Sequence, residues 1–184
     1  MVSPLVPFLK HLVFLLLLCL VTTALSSCTG KVRREGEAVE RYLSMRSVLT
    51  SALELTSQVE RALRDGFPSA REKIAAMAVE GRKVVTSLRA SLREYMDFLE
   101  RSSIMPPPSE ILRRQAWLLE RCADELEAYW GISSNLARDF PFRENPAYLA
   151  PALEQLSQAW ESLHKNLGEL REGEVELRNA LGEG

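Results

Sequence analysis

Histidine is nearly missing from this chain: of two, His11 sits in a hydrophobic N-terminal stretch and only His164 stands in the polar remainder. Any Ser-His-Asp or Cys-His arrangement would have to be built on that one ring. Cysteine is as scarce, with Cys19, Cys28 and Cys122 far apart in character and no local catalytic signature around any of them. An excess of one charge is also absent. The 23 Lys and Arg are interspersed with 25 Asp and Glu, which leaves no basic stripe for nucleic acid. Alternating strand patterns and repeats of about 20 to 50 residues are not seen either, and glycine-rich phosphate loops and clustered zinc ligands do not occur.

Long hydrophobic runs are limited to one. Leu12 to Leu25 is fourteen positions without a charge, preceded by Lys10 and His11 and followed by small polar residues. That is the layout of an export signal peptide. A spanning helix needs about 20 mostly apolar residues, and reaching that length takes in Lys10 on one side or runs through Ser26 and Ser27 towards Lys31 on the other. The segment Leu25-Ser26-Ser27-Cys28 resembles the lipobox of bacterial lipoprotein precursors, with a branched apolar residue three before the cysteine and a small one directly before it. The resemblance covers only the signal peptide and the residues next to it. It implies cleavage before Cys28, acyl chains on that residue, and membrane lipid as a partner. At about 0.8 kcal/mol per buried methylene, two or three chains anchor stably. Ala24-Leu25-Ser26 also fits a conventional cleavage site, the alternative that leaves Cys28 a free thiol. In enteric-type bacteria an Asp after the lipidated cysteine goes with inner-membrane retention, and Thr29 stands there instead. The resemblance thus implies a lipid-anchored place in the cell envelope, at the periplasmic face of the outer membrane in a host with two membranes.

The expected organisation is a signal peptide over 1–27, a lipidated N-terminus and tether over 28–36, and a helical domain over 37–184. The tether reaches at most about 28 Å when extended, and Lys31, Arg33 and Arg34 in it would each be worth about 1 kcal/mol near anionic headgroups. Once Cys19 is removed and Cys28 acylated, Cys122 has no cysteine to pair with, so a core must hold the fold and Cys122 is either buried or available to another molecule. The remaining 157 residues carry 22 basic and 25 acidic side chains, a formal balance of −3. A chain of that size forms one domain burying roughly 70% of its unfolded surface.

Apolar residues beyond the tether recur in alternating steps of four and three, which predicts helices. The first stripe is Ala38, Tyr42, Met45, Leu49, Ala52, Thr56, Val59 and Leu63, ended by Asp65-Gly66-Phe67-Pro68. Ser69 and Glu72 then have capping-box spacing. The second stripe is Ile74, Ala78, Gly81, Val85, Leu88, Leu92, Tyr95 and Leu99, where Gly81 predicts a close helix approach or a bend. Pro106-Pro107-Pro108 stops it, with Ser109 as the next cap. The third carries Leu112, Ala116, Leu119, Ala123, Leu126 and Trp130, widened by Ile111, Leu118, Cys122 and Tyr129. After an irregular corner from Arg138, the last helix is predicted from near Pro151, with Leu153, Leu156, Trp160, Leu163, Leu167, Leu170, Leu177 and Leu181, fraying or bending at Gly173. The expected fold is all-α: an elongated antiparallel four-helix bundle, up-down-up-down, with shallow coiled-coil-like crossings. Two hairpins that complete their cores only by pairing with another copy or another protein are the alternative.

Glu161 and His164 have the Glu-x-x-His spacing that resembles half of the site in ferritin-like di-iron bundles, a family that needs a second such motif and two more inward glutamates. No second histidine is there to supply it. A haem between Met45 and His164 needs matching levels, and the two are offset by about ten residues, or roughly 15 Å, if the last helix reaches Leu181. No enzyme and no resident cofactor is the expectation. What stands out is Trp117, about 160° around its helix from Leu119 and set among Arg113, Arg114, Arg121 and Asp124. Aromatics with Arg neighbours on a charged face anchor protein interfaces; a cation–π contact with Arg113 or Arg121 is the self-contained alternative. Phe140 and Phe142 around Pro141 form a second candidate patch. Together these predict a noncatalytic, membrane-tethered envelope protein that scaffolds or serves as an accessory subunit. The alternative is a carrier or sensor of a small apolar ligand or cofactor in the bundle core.

Overall fold

The computed structural model describes residues 5–64, 70–102, 104–139 and 146–182, with side chains described over 33–64, 70–102, 104–138 and 150–182. These residues form α1 (Leu5–Arg64), α2 (Arg71–Arg101), α3 (Pro108–Asp139) and α4 (Pro146–Leu181), a four-helix bundle. No strand occurs among the described residues.

Direction follows from which side chains meet. Tyr42 bonds Gln115 and Tyr129 bonds Thr56, both pairs 73 residues apart, so α1 and α3 run parallel at a constant offset. Arg71 reaches Ala137 while Arg89 reaches Asp124 and Glu127, so α2 runs against α3. Ser162 meets Glu125 and Glu176 meets Arg114, so α4 also runs against α3. Up-down-up-down is therefore the topology. α1 packs on α2 and on α3, and α3 packs on α2 and α4. α1 and α4 meet chiefly through long side chains, which leaves a seam between them.

Burial follows the predicted periodicity most closely on α2, where its eight predicted stripe residues are buried and no others are. On α1 the stripe holds from Ala38 to Val59 and then passes to Ala62, leaving Leu63 half-buried. Ala62 and Ala70 flank one groove between α1 and α2, so the returning chain covers that side. On α4 the departure is larger. A stripe spaced 3.5 residues apart drifts about 20° per heptad on a straight helix, which carries the early members outwards. Leu153 is 42% exposed and Trp160 only partly covered, while Asn166 and Gly173 fill the opposite edge of the buried face.

Helix ends depart from the predicted caps. The residue before α2 is Ala70, which makes no side-chain cap bond; Ser69 lies outside the described residues. Ser109 is inside α3, because Pro108 opens that helix, a position where the missing N–H has no partner to lose. α4 starts at Pro146, before Pro151 rather than at it, and continues through Gly173 without a break. Gly173 serves packing: a Cβ there would run into the Gln115 amide. Most consequential for placement, α1 is continuous through 28–36. In helical form Thr29 to Gly36 rises about 12 Å, well short of the extended reach of a tether.

Gly81 is a point of close approach. Trp130 is fully buried against it, and a Cβ at 81 would come within 2.6 Å of Cζ2 and nearer still to two other indole carbons. Gly81→Ala raises helix propensity by about 1 kcal/mol, yet overpacking a rigid ring costs about 1–3 kcal/mol. Chemical denaturation should therefore show net destabilisation by Gly81→Ala, and none from the same change in a Trp130→Leu background. Stabilisation of the otherwise native chain would refute the close approach.

Candidate protein-docking site

The outward face of α3 carries Trp117 where the sequence places it. Its neighbours at one helical turn, Arg113 and Arg121, stand on either side because residues four apart share a face. Arg121 lies over the indole with its guanidinium carbon 4.9 Å from the ring centroid, and Trp117 is nevertheless 52% exposed. The cation–π contact and the exposed aromatic thus coexist. Arg113 is exposed, and Arg114 is drawn aside to Glu176 on α4.

Beside Trp117 on the α2 side runs a groove of about 220 Å³ with Leu92, Met96 and Ala116 as its apolar lining and Arg89, Arg93, Asp97 and Glu120 among its charged walls. Arg89 is held there by Asp124 at 2.7 Å and Glu127 at 2.9 Å. An exposed indole, a flexible methionine and fixed charges around them suit an aromatic or aliphatic anchor from a protein partner. Leu92 and Met96 could not be read as part of this surface from sequence, since the groove exists only where α2 and α3 meet. Phe140 and Phe142 lie outside the described residues.

A second groove, of about 380 Å³, follows the α1–α4 seam and is lined by Val39, Leu43, Leu177 and Leu181 with Tyr42, Glu174 and Arg178. Its polar floor is a network that the sequence did not announce. Arg46 Nε donates to Glu174 Oε1 at 2.6 Å, and the Tyr42 hydroxyl lies 2.8 Å from the same oxygen and 3.0 Å from the Gln115 amide. A phenol has one proton. It goes to the carboxylate, so the Gln115 amide presents N–H to Tyr42, an orientation that heavy-atom positions leave open. Burial, then the bond and charge of Glu174, push the Tyr42 phenol well above its ordinary range.

The residues weighed for chemistry are dispersed. His164 is exposed, its ring edge-on to Trp160 and its Nδ1 3.0 Å from the Trp160 carbonyl, which fixes the proton on that nitrogen. Glu161 is exposed too. Met45 is buried one residue from Arg46, which meets Glu174; His164 lies ten residues along α4 from that level, about 15 Å. Among the described residues no three His, Cys, Asp or Glu side chains gather where a metal ion could be held, and no helix is long and apolar enough to cross a membrane. The chain matches no known protein family, no curated protein and no solved structure.

Cys122 is fully buried, and burial pushes its thiol up to about 12. Below the ordinary value of 9.0 the thiol is neutral whether the chain is folded or not. Above it the unfolded thiol ionises and the folded one does not, so stability falls as pH climbs from 9.0 towards 12, by up to about 1.4 kcal/mol per pH unit for each such group. Tyr42, Tyr95 and Tyr129 are raised in the same direction, mainly by burial, and join above 10.0. The thermal midpoint should stay flat up to 9.0 and decline beyond it, with Cys122→Ala delaying the onset to the tyrosine range. Thiol reagents should modify Cys122 only in denaturant; rapid modification of the native protein would contradict its burial.

Proposed function

We propose that this chain is a noncatalytic envelope lipoprotein, held to a membrane by lipid on Cys28, whose bundle acts as a scaffold or accessory subunit by binding a protein on the Trp117 face. The observation that carries the binding role is an indole 52% exposed on a charged face, stacked by Arg121 and adjoining the Leu92–Met96 groove. Large aromatics with Arg beside them are enriched where interfaces place their anchors. The anchoring role rests on the lipobox-like Leu25-Ser26-Ser27-Cys28 at the end of the apolar run. With Thr29 after the cysteine, this reading puts the protein at the periplasmic face of the outer membrane in a host with two membranes.

Each role has its own test. Trp117→Ala should leave the thermal midpoint within about 2 °C of the parent, because the ring is 52% exposed and outside the buried core cluster, while a protein that co-purifies with the parent is lost. Retention of that protein at the parent's level would remove this face from consideration. For the anchor, mass analysis should find acyl groups on Cys28, and Cys28→Ala should release the chain from salt-washed membranes. A Cys28→Ala chain that stays with them would argue against lipid as the anchor.

A further inference from the structure

One end of the bundle is marked out by where the helices stop. Pro108 opens α3, and the constant offset of 73 places it level with Glu35 on α1. Leu181 closes α4 seven residues past Glu174, and Glu35 lies seven before Tyr42, which bonds Glu174; these too are level. The α2–α3 connection, Ile104 to Pro107, lies at this same end. From here α1 alone continues, its residues 5–34 running past the other three helices. The Leu12–Leu25 apolar run is on that extension, ending ten residues before Glu35, about 15 Å along the axis, and Cys28 is seven residues away, about 10 Å.

We propose that this end of the bundle is a bilayer-facing surface, in which the Ile104–Pro107 connection seats on the anionic phospholipid headgroups around the anchor. The proposal rests on the membrane-tethered reading, whether acyl chains or the apolar run supplies the attachment. Three observations name the occupant. First, a helix that is continuous from position 28 into the core fixes both the direction and the height of the bundle. The headgroup layer is roughly 5–7 Å thick on each side of the hydrocarbon, so a surface about 10 Å from the acylated residue comes to rest on it. Second, Met105 is 61% exposed, the highest among the large hydrophobic side chains of the described residues, and stands beside exposed Pro106 and Pro107. Leu43 and Val175, each at least half exposed, lie within about 12 Å of the same end. Third, exposed Arg33 and Arg34 flank the exit of α1, with Arg101 ending α2 and Arg178 in the last turn of α4. Glu100 and Glu110 also border the surface, so the cations nearest the membrane, Arg33 and Arg34, set its preference for anionic lipid.

The test uses the full chain in vesicles of phosphatidylethanolamine and phosphatidylglycerol that carry a nitroxide quencher on the headgroup. A genetically encoded fluorescent amino acid replaces Met105 or, as control, Val79 near the far end, so that Cys19, Cys28 and Cys122 stay unlabelled, and only vesicle-bound protein is read. Quenching at 105 should exceed that at 79 at least about threefold, and should weaken when phosphatidylglycerol is omitted or salt is raised. Equal quenching at the two positions, with Cys28 acylated or not, overturns the proposal. Mass analysis of the same samples separates the two readings. A chain without acyl groups that is still quenched selectively at 105 sinks the lipid anchor and keeps the bilayer-facing end. An acylated chain quenched equally at both does the reverse.

Discussion

Trp130 has no exposed surface, and its indole finds room only because position 81 carries no side chain. The α2–α3 interface is set by that fit. A slip of one residue would bring a Cβ against the ring on either side of Gly81, since Glu80 and Arg82 both have one. Once the ring is seated, Arg71 falls opposite the last carbonyls of α3 and Arg89 falls opposite Asp124 and Glu127. The Leu92–Met96 groove then opens where it does, next to Trp117. The Trp117 face and its groove are thus positioned by a contact about 20 Å away along the bundle, and their geometry is inherited rather than local.

The α1–α4 side uses a different means. Close backbone approach is missing there, and the seam is held by Arg46, Tyr42 and Glu174, tied into α3 through Gln115. Arg46 and Glu174 are partly exposed, so the pair keeps some hydration and its Coulomb gain is offset only in part by desolvation. Its greater contribution is to specificity: an apolar seam tolerates sliding, whereas one carboxylate shared by a phenol and a guanidinium does not. Asn166 is a counterexample. It is fully buried with neither amide atom bonded in the structure, and no contact there accounts for it.

Reading the sequence was most successful where one helix determines its own fate. The α2 stripe emerged residue for residue because α2 is clasped between α1 and α3, which cover that one face. Trp117 was legible for the complementary reason: nothing apolar shares its side of α3. What escaped depends on two helices at once. Leu153 belongs to the core stripe by spacing and is carried outwards by the drift of α4, Gly173 is a weak point of its helix that makes room for Gln115, and the Leu92–Met96 groove has no meaning on α2 alone. The Ser109 cap failed for a simpler reason: Ser109 is one residue inside a helix that Pro108 was free to start.

The continuity of α1 joins the two proposed surfaces in one frame. Trp117 is nine residues from Pro108, which is level with Glu35, and Glu35 is seven residues from Cys28. Along a helix axis those steps add to about 24 Å. With Cys28 as the proposed anchor, a rod of this kind would hold the Trp117 face at a set height above it, where an extended tether would let the face sample any height up to its full length. On the proposed anchoring, a partner engaging Trp117 would meet it about 24 Å from Cys28 along the axis, a fixed height that suits another membrane-bound protein better than one that diffuses freely. Association then takes place in two dimensions, with a high effective concentration, and a small groove of modest intrinsic affinity is sufficient.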